Sequence, residues 1–394
     1  MDGFDIAVLA ALTLLLRGGH ALLVCGSVRS KSAASAAVRL LLDFSTVVLG
    51  VWALGAAFTS FNVDGVSFFN PKYLLGIDPA SVQAYGALIP LGLIATAALH
   101  GAAAERTRLA PVLITSLILS AIVVPIAWQF SYRLHGALGF VDSGVGIAAM
   151  AGGAAALVGA LVVGPRKGKF NRDQSVNFVP GHNVVLQLLG LIVIGAGLCI
   201  TGGGAFNVLL GFSAAILCGA MVSRVRYGKT DTGLMMAAGL TGLIATATGA
   251  GVLPSWGAVA VGAASGLIAP WLAVMLETRY RIDDVTSAVI PHLLGGALGM
   301  TAAALLQVSD ATLGTSVSIG QRFTTLGAHA LVAGGAMAAA GGITMAVFVF
   351  AKRRNALRVS ESAEFDGGDL TELDLNAYPD FQQTMIKSYH LREL

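Results

Sequence analysis

The chain has 394 residues, of which 56% are hydrophobic, 11% are charged and 50 are glycine, and its mean hydropathy is +0.78. A soluble domain carries about 25% charged residues, so this composition excludes an ordinary soluble protein and reads as an all-α integral membrane protein. The net charge of +3 excludes nothing until it is mapped onto loops.

Apolar runs long enough to cross a bilayer recur over residues 5–26, 39–60, 86–104, 110–130, 145–164, 184–201, 203–223, 232–251, 254–276, 285–307 and 324–351. That reading gives eleven transmembrane helices, with the thinnest separations at the Gly-rich links near 202 and 252. The start, M-D-G-F-D, is acidic, so no cleavable signal peptide is expected. Cys25, Cys199 and Cys218 lie in or beside apolar runs without paired spacing and are expected as small buried hydrophobes.

Loop charge orients the bundle. With the N-terminus outside, 20 of the 24 Lys and Arg fall on the inner side, in the loops after odd-numbered spans and in the tail. Only Lys72, Arg133 and Arg322 fall outside. This asymmetry follows the positive-inside rule and would be scrambled by an even number of spans. Residues 1–351 therefore read as one transmembrane domain and 352–394 as a cytoplasmic regulatory or docking tail, too short for an enzyme domain.

Arg17 is the one basic Lys or Arg inside a span, in L-L-L-R-G-G-H-A-L-L. His20 stands three residues on, on the same helical face. An arginine at this depth needs an interior partner or a watered cavity. It reads either as half of a structural ion pair or as part of a modified pathway, one that could take an anion. His100, near the end of the third span, reads as a satisfied interior hydrogen bond or as part of the same pathway.

Spans 5 and 10 carry a shared pattern: A149-M-A-G-G-A against H292-L-L-G-G-A. Aligning the Gly-Gly-Ala triplets sets Ala149 opposite His292 and puts Asp142 and Asp284 seven and eight residues upstream respectively. The economical reading is a five-plus-five inverted repeat with one extra C-terminal helix. Asp283 and Asp284 precede span 10, where acids suit a helix N-terminus. A histidine inside this apolar run is costly unless it lines a cavity or finds a partner. The glycines around it allow neighbouring helices to approach closely.

Motifs in order along the chain are similar to those of the ammonium transporter (Amt/Mep/Rh) family. They are G-S-V-R-S-K at 26–31, G-A-A-A-E-R at 101–106, L-H-G-A-L at 134–138, A-L-V-G-A-L-V-V-G-P-R at 156–166, H-N at 182–183 and G-K-T-D at 228–231. The spacing from Asp284 to His292 and L-D-L-N-A-Y-P-D-F at 373–381 complete the likeness. The resemblance implies a homotrimer of eleven-helix subunits in the plasma or inner membrane. Each subunit would have its own pore for ammonium or ammonia, in which two histidines help strip or relay the proton. Neutral ammonia crosses a dry pore cheaply where a bare cation does not, and an imidazole can shuttle the proton. A P-II signalling protein at the inner face is a further implied partner, although the H-G-E that usually precedes A-Y-P-D-F is missing.

The chain departs from that pattern at the pore. The span-10 histidine is His292, but the span-5 position holds Ala149, or Met150 with a one-residue slip, and no histidine lies between His135 and His182. Leu91 stands where the resemblance implies the first gate phenylalanine, and Ser131 where it implies an outer-vestibule tryptophan, with Trp128 nearly one turn earlier. Asp142 is expected to cap or shape the outer mouth. The family carries apolar or small residues at 17 and 20, and usually serine at 100. No P-loop, metal-ligand cluster or nucleic-acid patch is evident, so neither enzyme, metal nor cofactor is expected. The leading expectation is an ammonium transporter or channel with an altered pore. The alternatives are a non-conducting ammonium sensor signalling through its tail, and a pore turned to another small solute.

Overall fold

The computed structural model describes residues 3–59, 69–78, 81–138, 142–173, 175–201, 204–307 and 317–378. It is a helical bundle: α1 Gly3–Ser27, α2 Ala33–Ala53, α3 Ser81–Ala102, α4 Leu109–Ile118, α5 Val124–Leu138, α6 Val145–Val163, α7 Val184–Thr201, α8 Ala205–Tyr227, α9 Thr232–Gly249, α10 Ser255–Thr278, α11 Val289–Leu306 and α12 Ile319–Arg353. A π turn over Leu119–Val123 joins α4 to α5 within one span. Among the described residues, ten helices are long and apolar enough to cross a membrane, and the apolar stretch Val184–Cys199 is shorter. Both thin links expected near 202 and 252 separate distinct helices. The second span ends earlier than expected, at Ala53, where a 3₁₀ turn over Gly55–Thr59 takes over.

Local chemistry sets the ends. Asp231 caps α9 by accepting from Leu234 N. Ser318 and Gln321 form a reciprocal capping box on α12. Gly228, with φ +73°, closes α8 behind Arg224 and Arg226, whose charges suit a helix C-terminus. Helices α3 and α10 are nevertheless interrupted by Pro90 and Pro270, which packing tolerates inside a bundle.

The core is made of small and aliphatic side chains. Its largest cluster joins Leu16 and Leu23 of α1, Leu91 and Ile94 of α3, Ala148 and Ala149 of α6, Ile194 of α7 and Leu243 and Ile244 of α9. The outer surface carries Leu14, Leu41, Leu217, Trp256 and Leu331, all well exposed, as a bundle facing lipid or a second subunit requires.

Candidate functional site

Helices α6 and α11 cross at their glycines. A side chain on Gly296 would run into Met150, and one on Gly153 would run into Leu293. The contacts are reciprocal, because Met150 and Leu293 precede the two Gly-Gly-Ala triplets at the same offset. By position relative to the triplets, Ala149 is the counterpart of His292. Replacing Gly296 with leucine should therefore force the helices apart and destabilise the fold by about 1–3 kcal/mol, read as a lower midpoint of thermal unfolding in detergent.

His292 is buried at 1% exposure. Its Nδ1 meets the Ala288 carbonyl at 2.8 Å, while its Nε2 is buried without a hydrogen-bond partner. The Ile94 carbonyl of α3 lies alongside the ring. Ala149, opposite in the repeat, is fully buried and offers only a methyl group.

Just ahead of α6, Leu91 and Trp128 both close on Gly144, where a Cβ would collide with each of them. Gly144 has φ +87°, so the close approach and the left-handed backbone both call for glycine. Sequence spacing alone places Trp128 nearly a turn from the vestibule position; the fold brings it beside Leu91 against Gly144. Ser131 is buried, and its hydroxyl donates back to the Trp128 carbonyl at 2.7 Å, so it is spent within its own helix. Phe206 lies in the first turn of α8 and is well exposed.

Asp142 and Asp284 play matching parts. Asp142 accepts from Gly146 N and Ile147 N, each at 3.2 Å, and Asp284 accepts from Val289 N at 2.7 Å. Burial pushes the Asp142 carboxyl up to about 7 and the Asp284 carboxyl up to about 6. A raised carboxyl costs stability as pH climbs from its ordinary range to the raised value, and the full cost applies above it. An infrared carboxyl band that titrates away near pH 7 and is missing in Asp142→Asn is the expected signature. Asp283 does not cap α11; it accepts Arg166 N, Nε and Nη2, each at 2.9 Å.

Beneath α11 lies an inner cavity of about 210 Å³, bordered by Ser27, Gln187, Asp231, Asp284, Thr286 and Ile290. Asp284 Oδ1 and Thr286 Oγ1 are buried without a protein hydrogen-bond partner. The cavity is large and polar enough to hold several waters.

The partner that Arg17 required is Asp43, in α2. Arg17 Nη2 lies 2.7 Å from Asp43 Oδ2, and the same nitrogen donates to Thr96 Oγ1 at 3.0 Å and to the Leu93 carbonyl at 3.3 Å. Thr96 donates to Asp43 at 2.7 Å, and His100 Nε2 stands 3.0 Å from Asp43 Oδ1. Asp43 is fully buried, and it was missed by sequence reasoning although an acid inside L-L-L-D-F is as conspicuous as the arginine. The ion-pair reading of Arg17 and the interior-partner reading of His100 both describe this cluster. His20 belongs elsewhere: its Nδ1 meets the Leu16 carbonyl at 2.7 Å.

The basic loops are knotted by charge. Glu105 accepts from Arg29 N at 2.6 Å and from Arg166 Nη1 at 3.0 Å, and the fully buried Arg106 donates to the Asp283 and Gly164 carbonyls, each at 2.7 Å. Burial alone would raise the Glu105 and Asp283 carboxyls, but the neighbouring arginines outweigh it and hold Glu105 below its ordinary range and Asp283 at about 2. The tail sits on this knot. Glu364 accepts from Lys167 N and Arg358 Nη2, each at 2.7 Å, Asp369 accepts from Ser35 N at 2.7 Å, and His182 Nε2 meets the Tyr378 hydroxyl at 2.8 Å. Glu364→Ala is expected to speed amide hydrogen exchange across residues 357–375 while leaving the helices protected, which exchange mass spectrometry reads directly.

A sequence model described as the Ammonium Transporter Family matches residues 5–378. The chain is 30% identical over 434 residues to the ammonium transporter of Mycobacterium bovis, covering 94% of this chain and 89% of that one. It is 26% identical over 408 residues to ammonium transporter Amt2 of Archaeoglobus fulgidus, covering 94% and 86%. Among solved structures, a sensor Amt protein superposes with a TM-score of 0.84 at 25% identity, covering 94% of this chain and 97% of that one. Mep2 of Saccharomyces cerevisiae shares the fold, with a TM-score of 0.76 at 22% identity over 90% and 86%.

Proposed function

Because the chain belongs to the ammonium transporter family, we propose that this multi-pass membrane protein moves ammonium along the α6–α11 crossing, past His292. It is a transporter and not an enzyme. The observation that carries the pore assignment is the buried, unpartnered Nε2 of His292, set between a narrow aliphatic mouth and a polar inner cavity. A dry passage admits ammonia and rejects the bare cation, so ammonium gives up its proton before the constriction. Leu91 and Trp128 border the entrance, Ala149 and Met150 form the wall opposite His292, and Asp142 and Asp284 hold the N-termini of the two crossing helices.

The same reading counts Val184–Cys199 as an eleventh crossing, which puts the basic loops inside and the N-terminus outside. It also assembles three subunits in a cell membrane, with residues 352–394 as a regulatory tail. A P-II protein would have to compete for an inner surface that the tail already occupies through Glu364, Asp369 and Glu372.

A second reading, an ammonium sensor, is favoured by the likeness to the sensor Amt structure and by the tail's seat on the inner loops. Expression in a host stripped of its own ammonium uptake separates the two. The transporter reading predicts growth on low ammonium as sole nitrogen source. No growth, with ammonium binding to the purified protein seen by calorimetry, assigns it to sensing; neither growth nor binding points to another solute.

A further inference from the structure

We propose that His20 of α1 supplies the second imidazole of the pore, so that a histidine pair persists with one member moved from α6 to α1. The inference rests on the pore reading above. Four observations carry it. First, the α6 position paired with His292 is Ala149, a buried methyl that leaves room and has no proton chemistry. Second, the two histidines are held alike. His20 Nδ1 meets the Leu16 carbonyl at 2.7 Å and His292 Nδ1 meets the Ala288 carbonyl at 2.8 Å, each one turn back on its own helix. A carbonyl accepts only, so each Nδ1 carries the hydrogen and each neutral ring keeps Nε2 as its free acceptor. Third, His292 Nε2 is buried with no partner, and a buried polar atom left open in a native fold calls for an explanation. Fourth, the two rings share one compartment. Leu16 and Leu23 flank His20 by about a turn and pack in the same cluster as Ile94, Ala148 and Ala149, and Ile94 also presents its carbonyl to His292.

The chemistry balances with ammonium alone. An N–H bond of NH4⁺ breaks and its proton goes to Nε2 of one neutral imidazole, leaving NH3 and an imidazolium. The proton passes to the second imidazole and returns to NH3 at the inner vestibule, restoring NH4⁺ and two neutral rings. One positive charge crosses per ammonium. Arg17 would oppose an imidazolium if its charge were bare, but Asp43 neutralises it at 2.7 Å, and His100 bears on Asp43 from the far side. Helices α6 and α9 carry no titratable side chain, and α11 carries His292 alone.

The test uses full-length protein in proteoliposomes on a solid-supported membrane. Ammonium current should fall about tenfold or more in His20→Ala and in His292→Ala, with the double variant no worse than either single, as for two groups acting as a unit. Wild-type current in His20→Ala, with His292→Ala dead, overturns the pair and leaves the pore reading standing. If the wild type carries no current, the pore reading fails, and nitrogen NMR of ¹⁵N-histidine protein in lipid still decides the pairing. The His292 Nε2 resonance should move in His20→Gln; an unmoved resonance overturns the proposal whatever the transport result.

Discussion

Asp43→Ala is expected to be the most damaging single substitution in the membrane domain, lowering stability by about 3–5 kcal/mol. The change leaves Arg17, 5% exposed, with a buried and uncompensated charge. It also removes the acceptor of Thr96 and the neighbour of His100. The cost comes from the orphaned guanidinium rather than from a lost attraction, so the partner substitution should repair it. Arg17→Met combined with Asp43→Leu is expected to regain most of the stability, because exchanging a whole buried pair for apolar groups is often neutral or better. Thermal unfolding of the purified protein in detergent, followed by static light scattering, checks both. A double variant as unstable as Asp43→Ala would mean that Thr96 and His100, not the ion pair, dominate the cluster.

His292→Ala is expected to abolish transport while leaving the fold intact. The ring's hydrogen bond is to its own helix, at 2.8 Å, and its far nitrogen has no protein partner to lose. Removing it opens a small cavity in an alanine-rich crossing, costing roughly 2–4 kcal/mol at most. Proton transfer at the constriction loses its acceptor, and flux should fall by about tenfold to a thousandfold. Methylammonium uptake into proteoliposomes of matched protein content measures the fall. Full uptake in the variant would mean that the path runs elsewhere in the bundle.

Much of this was legible in the amino-acid order because a bilayer imposes strict rules. Apolar runs had to become helices, and the thin links near 202 and 252 could be read because Gly-rich segments must turn there. The Gly-Gly-Ala triplets legible in spans 5 and 10 lie where α6 and α11 cross, at Gly153 and Gly296. What stayed hidden depends on neighbours brought together by folding. Asp43 meets Arg17 only because α1, α2 and α3 pack side by side, and no helical spacing along one segment relates them. Asp283 and Asp284 look equivalent in sequence, yet the first is claimed by Arg166 and only the second caps α11. His20 and Arg17 share a helical face on paper, yet Arg17 reaches Asp43 on α2 while His20 turns back to the Leu16 carbonyl of its own helix.

The measurement closest to the central claim is an ammonium jump on wild-type protein reconstituted on a solid-supported membrane. The account predicts a transient positive inward current that saturates with ammonium and is absent for an equal potassium jump. No current above empty liposomes, from protein that still binds ammonium, would contradict it and make the molecule a receptor.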